Sequence, residues 1–178
     1  VLLQEVSPNG LPSRPQFEDF SKRLRCREHS VYRKSGLWKD REEGLAILSV
    51  APISDVTSIA LPIAARDMPR QLLACCVDVG GRKLRVANTH LAFALDADVS
   101  RTAQVEECLA HLRRLTLTAT YPLVFAGDFN SVPDSSAIER ILSDAIGFQD
   151  AFVKLNKLPN TFTFCASNPM VDPDLGAN

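Results

Sequence analysis

The sequence contains no apolar stretch near the roughly 18 unbroken residues a membrane-spanning helix needs. It also has no C-x-x-C pair, no internal repeat, no low-complexity tract and almost no net charge. Each absence closes a class. Cys26, Cys75, Cys76, Cys108 and Cys165 are odd in number and lack the regular spacing of a zinc module. Free, buried thiols are therefore expected, which favours a reducing, cytoplasmic setting over a disulfide scaffold. A formal net charge of −1 does not suit a protein that coats nucleic acid non-specifically, because that task requires a broad basic surface.

What remains is a chain of 178 residues, 46% hydrophobic and 23% charged, which suits a single globular domain over 1–178 and an expected monomer. Helical periodicity appears three times. Phe17, Phe20 and Leu24 predict an amphipathic helix that buries these three and turns Lys22, Arg23 and Arg25 outward. Val105, Cys108, Leu109, Leu112 and Leu115 form a second apolar stripe, with His111 off it and so expected at the surface. Ser136 with Glu139 reads as a capping box opening a third helix through Ile138, Ile141, Leu142 and Ala145 to a stop at Gly147. Strands are expected at 44–49, 53–60, 72–79, 82–91, 123–128 and 161–165, with Gly80-Gly81 closing a tight antiparallel hairpin. The basic stretch from Lys22 to Lys34 reads as a solvated helix face running into a loop, or as a rim that guides an anionic substrate. Hairpins mixed with widely separated helices describe an α+β fold.

Three of these strands end in polar residues. Val1-Leu2-Leu3 leads to Gln4-Glu5 and the turn-rich Ser7-Pro8-Asn9-Gly10, so Glu5 sits where a strand leaves the core. Leu84, Val86, Asn88 and His90 share one face of their strand, apolar at one end and hydrogen-bonding at the other. Leu123 to Gly127 breaks off into Asp128-Phe129-Asn130, and an extended backbone would aim Asp128 and Asn130 the same way. Singly, each residue has an ordinary explanation in a solvated turn, a satisfied core histidine or a loop cap.

Taken together, QEV, NTHL and GDFNS in this order resemble the endonuclease/exonuclease/phosphatase superfamily, the DNase I-like phosphoesterases. Gly44-Leu45-Ala46-Ile47-Leu48-Ser49 with Pro52-Ile53, Arg70 with Leu72-Leu73, and Arg101-x-x-Gln104 extend the likeness over nearly the whole chain. The resemblance implies a four-layer α/β/β/α sandwich: two mixed, largely antiparallel sheets packed face to face, helices outside, and the site at one end. It also implies a Mg²⁺- or Mn²⁺-dependent hydrolase of phosphoesters. Mg²⁺ takes oxygen ligands and keeps several waters, so Glu5 is the expected metal ligand. Asp128 would orient and deprotonate the attacking water, while His90 and Asn130 would donate N–H groups to phosphate oxygens. Asn88 would either meet substrate or support the strand tip from behind.

The match has gaps. The chain opens after the family's first, asparagine-bearing strand and stops before its Arg-Ile-Asp-Tyr strand and closing Asp-His pair, so a longer natural protein is expected. Leu45 and Val50 stand where many relatives carry Asn and Arg. The substrate stays open among nucleic acid, phosphoinositide and phospholipid head groups. The other function class is a catalytically inactive relative that uses the same face as an anion-binding interaction module; retention of Glu5, His90, Asp128 and Asn130 together favours the enzyme.

Overall fold

The computed structural model describes residues 1–8, 16–38, 40–63, 67–119 and 121–156. The chain divides into two compact units, Val1–Asn130 and Ser131–Asn178.

In the first unit the hairpin forms as the glycine pair predicts. Gly80 and Gly81 both take positive φ (63° and 84°), the conformation a two-residue hairpin turn requires and glycine adopts without a Cβ clash. Strands β5 (Gln71–Val79) and β6 (Arg82–His90) pair antiparallel from Val79↔Arg82 to Leu72↔Thr89. β4 (Ile53–Ala60) lies antiparallel on the far side of β5. After β6, helix α2 (Asp98–Thr118) crosses over and β7 (Leu123–Asp128) returns parallel to β6, giving the sheet order β4-β5-β6-β7. A second sheet, order β1-β3-β2, is wholly antiparallel and consists of β1 (Leu2–Val6), β2 (Ser30–Trp38) and β3 (Arg41–Leu48).

The sheets bury each other. Val31, Leu45 and Ile47 from one meet Leu73, Cys75 and Val77 from the other in a common core. α2 lays Val105, Cys108, Leu109 and Leu112 on the outer side of the four-stranded sheet. On the other side of the sandwich Phe17 of α1 (Gln16–Arg23) meets Tyr32 of β2 with ring centroids 5.7 Å apart. Helix, sheet, sheet and helix are the four layers. Adjacent Cys75 and Cys76 do face opposite ways, one into this core and the other outward. The four described cysteines are free and buried, with the Cys75 thiol pushed up to about 11 and the Cys108 thiol to about 12, in both cases chiefly by burial. Among the described residues no helix is long and apolar enough to cross a membrane.

Four local expectations are corrected. Ser30–Trp38 is an edge strand and not a loop: its mixed polarity hides any period, and pairing with β3 decides its conformation. In α1, Phe20 and Leu24 are exposed while Ser21 and Cys26 are buried, because the short helix ends in a turn at Arg25 (φ 54°) that carries Leu24 away. His111 is half-buried and meets Thr57 Oγ1 of β4 through Nε2 at 3.1 Å. In the second unit, α3 runs only over Ser136–Leu142. Its cap is Ser135, whose Oγ accepts from Ile138 N, and it stops before Gly147 because Asp144 Oδ1 accepts from Ile146 N in place of a further helical turn. α4 (Ala151–Asn156) starts with Asp150 Oδ1 accepting from Val153 N. The strand expected at 161–165 lies outside the described residues.

One side chain ties the two sheets together near the site. Asn88 of β6, 0% exposed, donates through Nδ2 to Leu3 O of β1 (2.9 Å) and Ala46 O of β3 (3.1 Å), and its Oδ1 accepts from Gln4 Nε2 (2.7 Å). Asn88→Leu should strand two buried carbonyls and one amide, each worth about 1–3 kcal/mol when left unsatisfied. The expected loss is about 3 kcal/mol or more in urea denaturation.

Candidate active site

Parallel pairing of β6 with β7 sets His90 opposite Asp128. Gly127 makes that pairing possible: its φ is +139°, and a Cβ there would come 2.0 Å from Thr89 O. The third participant comes from the other sheet. β1 carries a bulge between Leu3 and Val6, and Glu5 within it adopts φ 55°. The carboxylate therefore points out of the sandwich, 67% exposed, with Oε1 3.9 Å from His90 Nε2. His90 Nε2 is also 3.9 Å from Asp128 Oδ2. Glu5 and Asp128, 85 and 38 positions from His90 in sequence, thus share one imidazole nitrogen.

Asp128 and Asn130 do not follow the alternation of an extended strand. β7 ends at Asp128, Asn130 turns to φ 47°, and its backbone N–H donates to Asp128 Oδ1 (2.9 Å). Its side-chain Nδ2 donates to Leu91 O (3.0 Å), which leaves one amide hydrogen. Leu91 N in turn donates to Asp128 O (2.9 Å). The two residues still share the site, through a side chain-to-backbone turn. Asn88 lies beneath, its side chain engaged with Leu3 O, Ala46 O and Gln4 Nε2 between the sheets.

Two further charged groups lie at the site. Arg70 is buried and donates to Asp67 three times, at 2.7, 3.1 and 3.2 Å. The half-buried Glu43, on β3, has its carboxyl pushed up by burial and then by Glu5, with Arg70 pulling it down. Arg70 is legible in the sequence as part of the family likeness, and Glu43 only as one of two acids before Gly44. For His90, burial is the largest influence and Arg70 adds to it, against opposing pulls from Asp128 and Asp67. Together they hold its pKa at about 4, so the imidazole is neutral at physiological pH.

Residues 1–171 match the family model described as Endonuclease/Exonuclease/phosphatase family. Nocturnin of Xenopus laevis is 33% identical over 87 residues, 49% of this chain and 22% of that protein. Mouse 2′,5′-phosphodiesterase 12 is 36% identical over 67 residues, 36% of this chain and 11% of that protein. The chain thus spans less than a quarter of the length of either. Among solved structures, the human nocturnin catalytic domain with bound sulfate superposes with a TM-score of 0.71 at 22% identity, over 86% of this chain and 59% of that one. Danio rerio TDP2 complexed with a single-strand DNA product gives 0.59 at 21% identity, over 93% and 58%. At these identities the superpositions establish the fold.

The neutral imidazole has a measurable consequence. In the unfolded chain His90 takes up a proton as pH falls through about 6.5, whereas the folded chain resists until about 4. Stability should therefore fall across that window, by about 3 kcal/mol in total from this residue. With EDTA present, the His90 ring resonance should titrate near pH 4, and His90→Gln should flatten that part of the stability profile. A His90 midpoint above pH 6 would refute the assignment.

Proposed function

Because the chain belongs to the endonuclease/exonuclease/phosphatase family, we propose that its protein is a divalent-metal-dependent phosphoester hydrolase that cleaves phosphodiesters by an Asp128-activated water. The observation that carries this reading is the meeting of Glu5, His90 and Asp128 at 3.9 Å spacings. Relatives bearing the names 2′,5′-phosphodiesterase and TDP2 with a DNA product support the phosphodiester class.

The donor set suits a Mg²⁺ or Mn²⁺ ion. Two carboxylates, Glu5 and Asp128, flank one neutral imidazole, and the nearby Arg70 is already committed to Asp67. An anionic substrate would meet negative charge there unless a cation intervened. Carboxylate oxygens beside a single imidazole suit an ion that keeps waters and takes one or two carboxylates, rather than zinc with its Cys or several His ligands. When bound, the ion supplies Lewis-acid polarisation of a phosphoryl oxygen, worth several kcal/mol in the transition state.

The chain's own groups do the rest. Glu5, exposed and without a hydrogen bond of its own among the described residues, holds the ion. Asp128 is oriented through Oδ1 by the Asn130 N–H, so Oδ2 is available to take a proton from water. His90, neutral and nearly buried, offers a ring N–H to a non-bridging oxygen as its charge grows, and the spare amide hydrogen of Asn130 offers a second. Neither donor has to lose a proton to do this.

The test uses the intact protein and bis(p-nitrophenyl) phosphate. Activity should require Mg²⁺ or Mn²⁺ and vanish with EDTA. Asp128→Asn keeps the shape and a hydrogen bond but cannot accept the proton, and should lower kcat by at least about 10²-fold with folding intact. Activity unchanged by exhaustive chelation would exclude the metal role of Glu5. No hydrolysis of any phosphoester, with anion binding retained, would instead establish the non-catalytic module.

A further inference from the structure

Among the described residues of the first unit Arg70, Arg85 and Arg101 are buried, and their partners differ. Arg70 is paired with Asp67. Arg101 reaches the carbonyls of Ala92, Ala94 and Leu95 and the carboxylate of Asp98. Arg85, 4% exposed, makes no side-chain hydrogen bond and no ion pair among the described residues, and its Nε is buried without an acceptor. Its guanidinium carbon lies 5.8 Å from the centroid of the Tyr121 ring, and Lys83 Nζ lies 5.7 Å from the same ring.

This place is not the catalytic end. Arg85 pairs with Leu123 at the start of β7, while His90 pairs with Asp128 at its end. Five strand residues separate them, about 17 Å. Arg85 shares the outer face of the sheet with Cys76, its partner across β5, beneath α2. From α2, His111 reaches β4 through Thr57. Its pKa is lowered by burial first, then by Arg114 and less by Arg85, with Glu107 opposing. Cys76 is raised by burial and by Asp55, and lowered by Arg85 and Lys83. Lys83 and Arg85 therefore meet on the one Tyr121 ring, and the nearby acids Asp55 and Glu107 form no ion pair with Arg85.

Arg85 Nε is buried with no acceptor, as Arg101 Nε is, but unlike Arg101 no terminal nitrogen of Arg85 has a protein acceptor either among the described residues. The buried N–H alone costs about 1–3 kcal/mol, which stacking on tyrosine, at about 0.5–2 kcal/mol, offsets only in part. The missing acceptor has to fit a planar fork of N–H donors flanked by the Lys83 ammonium, and a phosphate oxyanion does. We propose that the outer face of the four-stranded sheet around Arg85, Lys83 and Tyr121 is a second anion site that binds a phosphate group, separate from the catalytic end. The site stands whether or not the catalytic reading holds.

The test is a site-resolved NMR titration of the chain in EDTA with inorganic phosphate and, separately, a nucleoside 5′-monophosphate. Saturable shifts at Lys83, Arg85, His111 and Tyr121 with one common Kd are expected. Tighter binding of the monophosphate identifies a phosphate ester as occupant; equal affinity identifies free phosphate. Arg85→Met should weaken binding at least about tenfold, and the exposed Lys83→Glu about threefold, consistent with one charge-assisted contact and one screened charge. Without phosphate, Arg85→Met should melt at the same temperature as the parent or higher, and it should lose the parent's phosphate-dependent rise. Shifts confined to His90 and Asn130, a Lys83→Glu chain that titrates like the parent, or an Arg85→Met chain less stable than the parent in phosphate-free buffer would each overturn the proposal.

Discussion

The arrangement depends on a single buried amide. Apolar packing between Val31, Leu45 and Ile47 on one sheet and Leu73, Cys75 and Val77 on the other holds the layers together, but hydrophobic contact is non-directional and would tolerate a small slide between them. Asn88 removes that freedom. Its two N–H groups reach carbonyls on two different strands of the opposite sheet, and its oxygen takes the Gln4 amide next door to Glu5. A slide of even 1 Å would break bonds whose groups have no water to turn to. Glu5 can therefore be held 3.9 Å from an imidazole on another sheet, although no covalent or sequence-local link places it there.

Position in the sheets explains the left-handed backbone at this end. Glu5 and Asn130 both occupy left-handed backbone, which is uncommon for residues other than glycine. Each sits where a strand must stop behaving as one: a bulge re-aims Glu5, and a side chain-capped turn folds Asn130 back over Asp128. Such conformations cost of order 1–3 kcal/mol each and persist because neighbours over-determine them. The bulge of β1 is flanked by pairing to β3 on both sides, and Asn130 is tied both to Asp128 and to Leu91.

Much of this was legible in the sequence, for stated physical reasons. The Gly80-Gly81 hairpin, the stripe of α2 and the polar tips of β1, β6 and β7 are local signals, set by φ preference or by the period of one element. What was not legible depends on partners far along the chain. β2 is a strand because β3 pairs with it, and nothing between Ser30 and Trp38 alternates cleanly. α1 buries Ser21 rather than Phe20 because of where its end turns. The convergence of Asp128 and Asn130 was foreseen, but through extended geometry, whereas the backbone reaches it by turning. Asp67 shows the same limit at the site itself: Arg70 belongs to the family likeness, but its buried pairing with Asp67 has no period to announce it.

That pair also settles how the site distributes charge. By engaging Asp67 so fully, Arg70 becomes a poor counterion for Glu5 or Asp128, yet it stays close enough to oppose a proton on His90. The imidazole is kept neutral against Asp128 and Asp67, which favour protonating it, and burial does most of that work. A neutral ring can donate a hydrogen bond without adding a fixed positive charge, so it does not neutralise the carboxylates of Glu5 and Asp128. If Arg70 instead reached into the site, or His90 were charged, the protein would supply its own cation and the carboxylates would have little reason to recruit another. The balance between a self-satisfied ion pair and an unprotonated histidine is thus the physical argument behind the metal ion proposed for this site.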